Sequence, residues 1–120
     1  MLVLPLIVLI SPSLDVASSV SFDREIRPLL AARCILCHGN AEESRQAGLR
    51  LDTREGLFGP VRKGGRVVVP GSPETSELFR RISSLDSNTR MPPADMGHDS
   101  LSPEEIMLLY QWIEEGAPWE

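Results

Sequence analysis

Two cysteines and a histidine stand close together near the start of the chain, in the stretch RCILCHGN. Cys34 and Cys37 are the two cysteines of the sequence, and His38 follows the second one directly. Thiols at this spacing beside an imidazole can attach a haem covalently, act as a redox dithiol, contribute to a zinc site or form a disulfide. The surrounding sequence has to decide among these chemistries.

The spacing of Cys34, Cys37 and His38 matches the C-x-x-C-H pattern of covalent haem attachment. Two thiols three positions apart at the end of a helix can add to the two vinyl groups along one edge of a haem. The next residue can then place its imidazole on the iron. Covalent bonds keep the haem in place when a protein lacks a deep pocket, so the pattern favours one haem c.

Three other chemistries fit the local sequence less well. A redox dithiol usually lies at the start of a helix, where the helix N-terminus lowers a thiol pKa, whereas this pair follows an apolar helical pattern. A structural zinc site needs four ligands, and His98 is the other histidine of the chain. A disulfide has poor geometry at this separation within a helix. Chance occurrence of so short a pattern stays open at this point.

A haem electron carrier usually needs a second axial ligand, commonly methionine or histidine. Met91 lies in TRMPPADMG, which is polar and has no helical or strand period. Pro92 and Pro93 stiffen the backbone after it, and a rigid loop is suited to presenting one thioether. We therefore predict Met91 as the distal ligand, with His98 as the second candidate and Met96 as the third.

Three helices are predicted to position these residues. The first covers residues 23–38 and ends at Gly39, which places the C-x-x-C-H motif at its C-terminal end. The second covers residues 73–83 and begins with a Ser-Pro start signal. The third begins at LSPEE, with an N-cap serine, a proline and the glutamate of a capping box, and stops at Gly116. Met107 lies inside this helix and is expected to lie in the core or on the surface rather than at the iron.

Two long irregular segments, residues 40–66 and 84–100, connect the helices. Loops of this length in a compact domain are usually functional or wrapped around something. In the first segment, Leu49 and Leu51 are expected to form a short strand or to line a pocket. Residues 54–58 are expected to form a single helical turn.

The first ten residues, MLVLPLIVLI, are almost wholly apolar and are followed by small and polar residues. This is typical of a signal peptide, although no Lys or Arg precedes the run, and a bilayer span would need about 20 apolar residues. We predict a signal peptide or hydrophobic leader over residues 1–19, a domain over residues 20–120, and export to the periplasm or cell envelope. Membrane association is expected only through an uncleaved leader. The alternative is a buried N-terminal strand or helix.

Size and charge narrow the class of protein further. A chain of 120 residues is one domain by length, and its 5% aromatic content implies a thin core that a bulky apolar cofactor would help to fill. The net charge is −5, from 12 basic and 17 acidic residues, with no basic patch that carries interleaved aromatics. Nucleic acid is therefore not predicted as a partner.

Taken together, the chain resembles the class I cytochromes c, and in particular the planctomycete-type cytochrome c domain. The resemblance covers about residues 20–119 and rests on FDREIRPLLAARCILCHG, AGLRLDTREG, VVVPGSPETSELFRRI, RMPP and LSPEEIMLLYQWIEEGAPW. It implies an all-α cytochrome c-like fold of about three main helices, with long loops wrapped around one covalently bound haem c. It also implies thioether bonds at Cys34 and Cys37, His38 as the proximal ligand and Met91 as the distal ligand.

The resulting hypothesis is a monohaem electron-transfer domain outside the cytoplasm, an electron carrier rather than an enzyme, that serves a redox partner protein. Two alternatives stay open: a haem-based sensor with a vacant or labile sixth site, and a non-haem interaction domain with an accidental C-x-x-C-H. Members of the family commonly carry this domain near the N-terminus of much larger exported proteins. The chain is therefore either a stand-alone carrier or the electron-transfer domain of a larger redox protein.

Overall fold

The computed structural model describes residues 2, 3, 5, 7–9, 19–35, 37–39, 42, 45–93 and 100–119. Within these ranges the regular structure is helical. The β-type pairing consists of two isolated bridges, which join Arg66 to Pro60 and to Ser76. The described part of the chain contains no β-strand. The predicted all-α class is therefore confirmed for these residues.

The first helical segment begins as a π-helical turn, Phe22–Ile26, and continues directly as α1, Arg27–Arg33. The side chain of Ser21 accepts a hydrogen bond from the backbone N–H of Arg24 and so caps the segment. Pro28 lies in the first turn of α1, where a missing N–H is best tolerated. The apolar pattern of the sequence therefore does form a helix in spite of its proline.

The end of α1 differs from the predicted end at residue 38. The N–H groups of Cys34 and Ile35 both donate to the carbonyl of Leu30, at 2.8 and 3.0 Å, so the regular helical register is lost here. Gly39 was predicted to end this helix, as a glycine in the left-handed conformation commonly does, but its φ is not positive. A Cβ atom at Gly39 would instead collide with the carbonyl oxygen of Ile35, so glycine is needed there for close packing.

Two of the later helices lie where the sequence predicts them. α2, Arg54–Leu57, is the expected single turn, capped by the side chain of Thr53, which accepts a hydrogen bond from Gly56 N–H at 3.1 Å. The last helix, Pro103–Glu114, has the expected capping box, and Gly116 follows it with a φ of 100°. This helix is called α4, because a further helix, described below as α3, precedes it in the chain.

The predicted helix over residues 73–83 is divided into a 3-10 turn, Pro73–Thr75, and α3, Glu77–Ile82. The break lies at Ser76, whose side chain is fully buried. Its hydroxyl accepts a hydrogen bond from Val69 N–H at 2.8 Å and donates to a backbone carbonyl four residues earlier, also at 2.8 Å. These bonds to the backbone compete with a continuous helix, which explains the division.

The hydrophobic core lies where the first helical segment packs against α4. Six of its side chains are almost completely buried: Phe22, Ile26, Leu30, Leu109, Trp112 and Ile113. The rings of Phe22 and Trp112 are 5.4 Å apart, and the Trp112 indole N–H donates to the carbonyl of Pro118 at 2.8 Å. Near the same junction, Val20 N–H donates to the Glu115 carboxylate at 2.9 Å. The residues just before the first helical segment and just after α4 therefore meet beside the core.

The N-terminal apolar residues that are described do not join this core. Leu2, Val3, Ile7, Val8 and Leu9 are all largely exposed. The alternative of a buried N-terminal strand or helix therefore fails for these positions. In the described part of the chain, no helix has the length and apolar character that crossing a membrane requires. The signal peptide over residues 1–19 and the domain over residues 20–120 stay predictions.

Candidate functional site

A cavity of about 270 Å³ brings the two candidate halves of the site together. Cys34, Cys37 and His38 line this cavity, and Met91 lines it from a distant part of the sequence. Most of the remaining lining is apolar and includes Leu49, Leu51, Val67, Leu78 and Ile82. His98 and Met96, the other candidate distal ligands, lie outside the described residues.

The cysteine pair lies in a tight turn directly after α1. Cys34 is the C-cap residue of the helix, and its carbonyl accepts hydrogen bonds from the N–H groups of Cys37 and His38, at 3.2 and 2.9 Å. Both thiols are free and partly exposed. The turn therefore presents two unlinked thiols and an imidazole to one cavity.

The chemistry of the Cys34 thiol argues against the redox dithiol. Burial raises the pKa of Cys34 to about 12, so the thiol is protonated at neutral pH. A reactive redox dithiol needs a lowered thiol pKa instead. Among the described residues, moreover, no group of three or more His, Cys, Asp or Glu side chains is arranged to hold a metal ion.

The ring of His38 is oriented by the backbone of the following loop. Its Nδ1 lies 3.1 Å from the carbonyl oxygen of Gln46. Because a carbonyl oxygen only accepts, Nδ1 carries the proton and Nε2 keeps a lone pair for a metal. Burial also lowers the pKa of His38, partly offset by this hydrogen bond, and so favours the neutral imidazole that ligation requires.

Residues 45–51 hold the motif from the other side. Gln46 N–H donates to the carbonyl of Cys37 at 2.6 Å, and Leu51 N–H donates to the carbonyl of His38 at 2.7 Å. Ala47 has a positive φ of 53°, which turns the chain between these two contacts. The loop thus fixes the backbone on both sides of the imidazole. Leu51 lines the cavity, which is one of the two roles that the sequence predicts for it, the other being part of a short strand.

The thioether side of the cavity depends on α3. Met91 N–H donates to the carbonyl of Arg81 at 3.2 Å, which attaches the loop to the C-terminal part of the helix. Pro92 is buried, while Met91 and Pro93 are half-buried, and all three line the cavity. The structure therefore places Met91 on a proline-containing loop at the cavity, where the sequence predicts it.

Charged side chains also line the cavity, and the sequence did not single them out. Arg33 pairs with Glu105 of α4 at 3.4 Å. Arg62 and Lys63 lie on an exposed turn and make no ion pair within the described part of the chain. Isolated charges in a surface segment form no pattern that would indicate a role in a cavity. The one available signal in the sequence was the basic cluster RKGGR, which stands out in an otherwise acidic chain.

The residues of the cavity fit a covalently bound haem. They supply two free thiols on one turn, a neutral imidazole with an available Nε2, and a thioether that lines the same mostly apolar cavity. A haem also carries carboxylates, which suit the cationic side chains of Arg62 and Lys63 in the cavity lining.

Comparison with known proteins gives two matches. The model of the family described as "Planctomycete cytochrome C" matches residues 34–95, which are 62 of the 120 residues. The match runs from the first cysteine to just beyond the Met91 loop. The chain is also 27% identical over 132 residues to hydrazine synthase subunit alpha of Kuenenia stuttgartiensis. That alignment covers 90% of this chain and 16% of the relative, so the chain spans a small part of that protein's length.

Proposed function

Because the chain belongs to the planctomycete cytochrome c family, we propose that residues 20–120 form a monohaem cytochrome c domain that transfers single electrons outside the cytoplasm. The observation that carries the proposal is that Cys34, Cys37, His38 and Met91 all line one cavity. When bound, haem c supplies the Fe(II)/Fe(III) couple. The polypeptide itself carries out no bond chemistry on a substrate, and the proposed domain is a carrier rather than an enzyme.

In this proposal the thiols of Cys34 and Cys37 fix the haem. Both thiols are free and follow the same helix, so they would hold the group through two thioether bonds. His38 would ligate the iron through Nε2, because its Nδ1–H donates to the Gln46 carbonyl and orients the ring.

Met91 is the proposed distal ligand, and a thioether in this position raises the reduction potential relative to a second histidine. The apolar lining keeps water away from the iron and lowers the local dielectric constant. Arg62 and Lys63 also line the cavity and would offer positive charge to the haem carboxylates.

We further propose that the leader over residues 1–19 directs export to the periplasm or cell envelope, and that it is the one segment through which the protein would associate with a membrane. Two free thiols outside the cytoplasm tend to oxidise, which covalent attachment to haem prevents. The proposed partner is a redox protein that exchanges electrons at the haem edge, and nucleic acid is not a proposed partner.

A second candidate is the same chemistry within a larger redox protein. The similarity to hydrazine synthase subunit alpha supports it, because the chain matches 16% of the length of that protein. In such a setting the domain would pass electrons to or from another domain of its own polypeptide rather than to a separate partner.

Covalent haem attachment is tested by expressing the chain in a bacterial periplasm that contains a haem-attachment system. We expect a c-type α-band, haem staining after denaturing electrophoresis, and a mass increase of one haem. The double variant Cys34→Ala/Cys37→Ala should lose the covalent stain. A wild-type protein without the α-band and stain would contradict the proposal. Rapid CO binding to reduced wild-type protein would instead favour a sensor with a labile sixth site.

A further inference from the structure

The loop that presents Met91 is attached to α3 at two points, and both belong to Arg81. The carbonyl of Arg81 accepts the N–H of Met91 at 3.2 Å. The Arg81 guanidinium donates through Nη1 to the carbonyl of Thr89 at 3.4 Å. One residue therefore holds the loop at the proposed ligand and two residues before it, and Arg81 lines the same cavity as Met91.

Glu77, one turn earlier on α3, holds the Arg81 side chain in this position. Its Oε1 accepts a hydrogen bond from Arg81 Nε at 2.8 Å. The two side chains are 22% and 25% exposed, so the pair is partly shielded from solvent, and both line the cavity. A charge-assisted hydrogen bond of this kind restricts the guanidinium to one orientation.

Arg80 is a neighbouring arginine that pairs with the same carboxylate but does not contact the Met91 loop. It donates to the same Glu77 carboxylate twice, at 2.9 and 2.6 Å, but its side chain is 54% exposed. In the described part of the chain, its side chain donates to Glu77 alone. The two neighbouring arginines therefore share one acceptor, and Arg81 alone of the two reaches the Met91 loop.

We propose that Arg81, oriented by Glu77, is the positioning residue that keeps Met91 on the haem iron. This rests on the proposed function, in which Met91 is the distal ligand. A thioether ligand is carried by its loop, so the fraction of time for which the sixth position is open depends on how firmly the loop is held. The Glu77–Arg81 pair thus sets the balance between an electron carrier with a closed site and a haem that admits external ligands.

Loss of the Arg81 guanidinium should not unfold the domain. α3 is anchored by its apolar side, where Leu78 and Ile82 are 8% and 4% exposed. Arg81 lies outside this buried set and its charge is neutralised locally by Glu77. The expected effect is therefore confined to the Met91 loop.

The test compares Arg81→Gln with the matched control Arg80→Gln in the haem-loaded protein. Both variants remove one positive charge from the same helix and one partner from Glu77. We measure the long-wavelength Met–Fe(III) absorption, the NMR signal of the Met91 methyl group in the Fe(II) state, and the rate of CO binding to Fe(II). Arg81→Gln should weaken the absorption, broaden or shift the methyl signal and speed CO binding about tenfold, the effect of one charged hydrogen bond. Arg80→Gln should change the CO rate less than about twofold, as for a surface ion pair.

Equal behaviour of the two variants, or an unchanged Arg81→Gln protein, would overturn the positioning role. Arg81→Lys is the second variant if Arg81→Gln does not accumulate, since lysine keeps the charge but cannot reach Glu77 and Thr89 together through a planar fork. It should also speed CO binding. If Met91→Ala leaves the Met–Fe(III) absorption unchanged, the proposed ligation fails. If Met91→Ala removes that absorption while both Arg81 variants keep it, the positioning role alone fails.

Discussion

The thioether of Met91 can be removed with little effect on the core, because Met91 is half-buried and lies on the cavity wall. We expect Met91→Ala to lose the long-wavelength Met–Fe(III) absorption and to have a lower reduction potential, since a thioether ligand raises the potential. The two quantities are measured by absorption spectroscopy and redox titration of the haem-loaded protein.

Met107→Ala is the matched control for Met91→Ala, because Met107 is 60% exposed on α4 and does not line the cavity. It should leave both the absorption and the potential unchanged. If Met91→Ala behaves like this control, the iron takes its sixth ligand elsewhere, and His98 and Met96 become the residues to substitute.

The residues that carry distinctive chemistry were within reach of sequence reasoning, and those that support them were not. Cys34, Cys37 and His38 form a short pattern, and Met91 stands out in a polar proline-containing stretch. Gln46, by contrast, acts through its backbone N–H and C=O, which every residue except proline possesses. No side-chain pattern can indicate such a contact, because the contact depends on where the loop lies in the folded chain.

Among the secondary-structure elements, α4 was predictable because its boundaries are set locally. Its serine, proline, glutamate and final glycine all act within a few residues of the helix ends. The end of α1 and the division at Ser76 depend on contacts outside the helices themselves. Ser76 bonds to Val69, in the segment before its helix, and residues 45–51 hold the turn after α1. Helix propensity within each segment does not contain these contacts, which is why the first helix was predicted too long and the second as continuous.

The cap of α4 gives a test at this scale. Ser102 Oγ accepts the N–H of Glu105 at 3.1 Å, and the Glu105 carboxylate accepts the N–H of Ser102 at 2.9 Å. Ser102→Ala should lower the free energy of unfolding by about 1 kcal/mol, because an N–H at the helix start loses its partner. Urea unfolding followed by circular dichroism measures this change.

Ser100→Ala provides the comparison, because Ser100 is exposed and lies just before the same helix. It should change the free energy of unfolding by less than about 0.5 kcal/mol. Similar losses in the two variants would mean that the capping bonds do not stabilise α4.

For the whole molecule, acid stability depends on carboxylates that are paired with arginines. Hydrogen bonds from Arg80 and then Arg81 hold the pKa of Glu77 below its usual range, despite partial burial. A carboxyl group with a lowered pKa in the folded state stabilises that state above its unfolded pKa. The contribution is lost as the pH falls through the folded pKa.

We therefore expect Glu77→Gln to lower the free energy of unfolding by about 0.5 to 1 kcal/mol at neutral pH, the range for a partly exposed ion pair. The difference from wild type should vanish once the pH is below the lowered pKa of Glu77, where both side chains are uncharged. Urea unfolding across acidic and neutral pH measures the two curves. Glu42→Gln, at an exposed position, should change the free energy of unfolding by less than about 0.5 kcal/mol at neutral pH. Parallel curves for Glu77→Gln and wild type would refute the assignment.

The hydrogen bond between Val20 N–H and the Glu115 carboxylate has an architectural consequence. It brings the polypeptide's point of entry into the domain next to its point of exit, beside the core formed by Phe22 and Trp112. Neither Val20 nor Glu115 lines the cavity. Adjacent ends allow a folded unit to be inserted into a longer polypeptide, and an insertion at this junction would leave the cavity unobstructed.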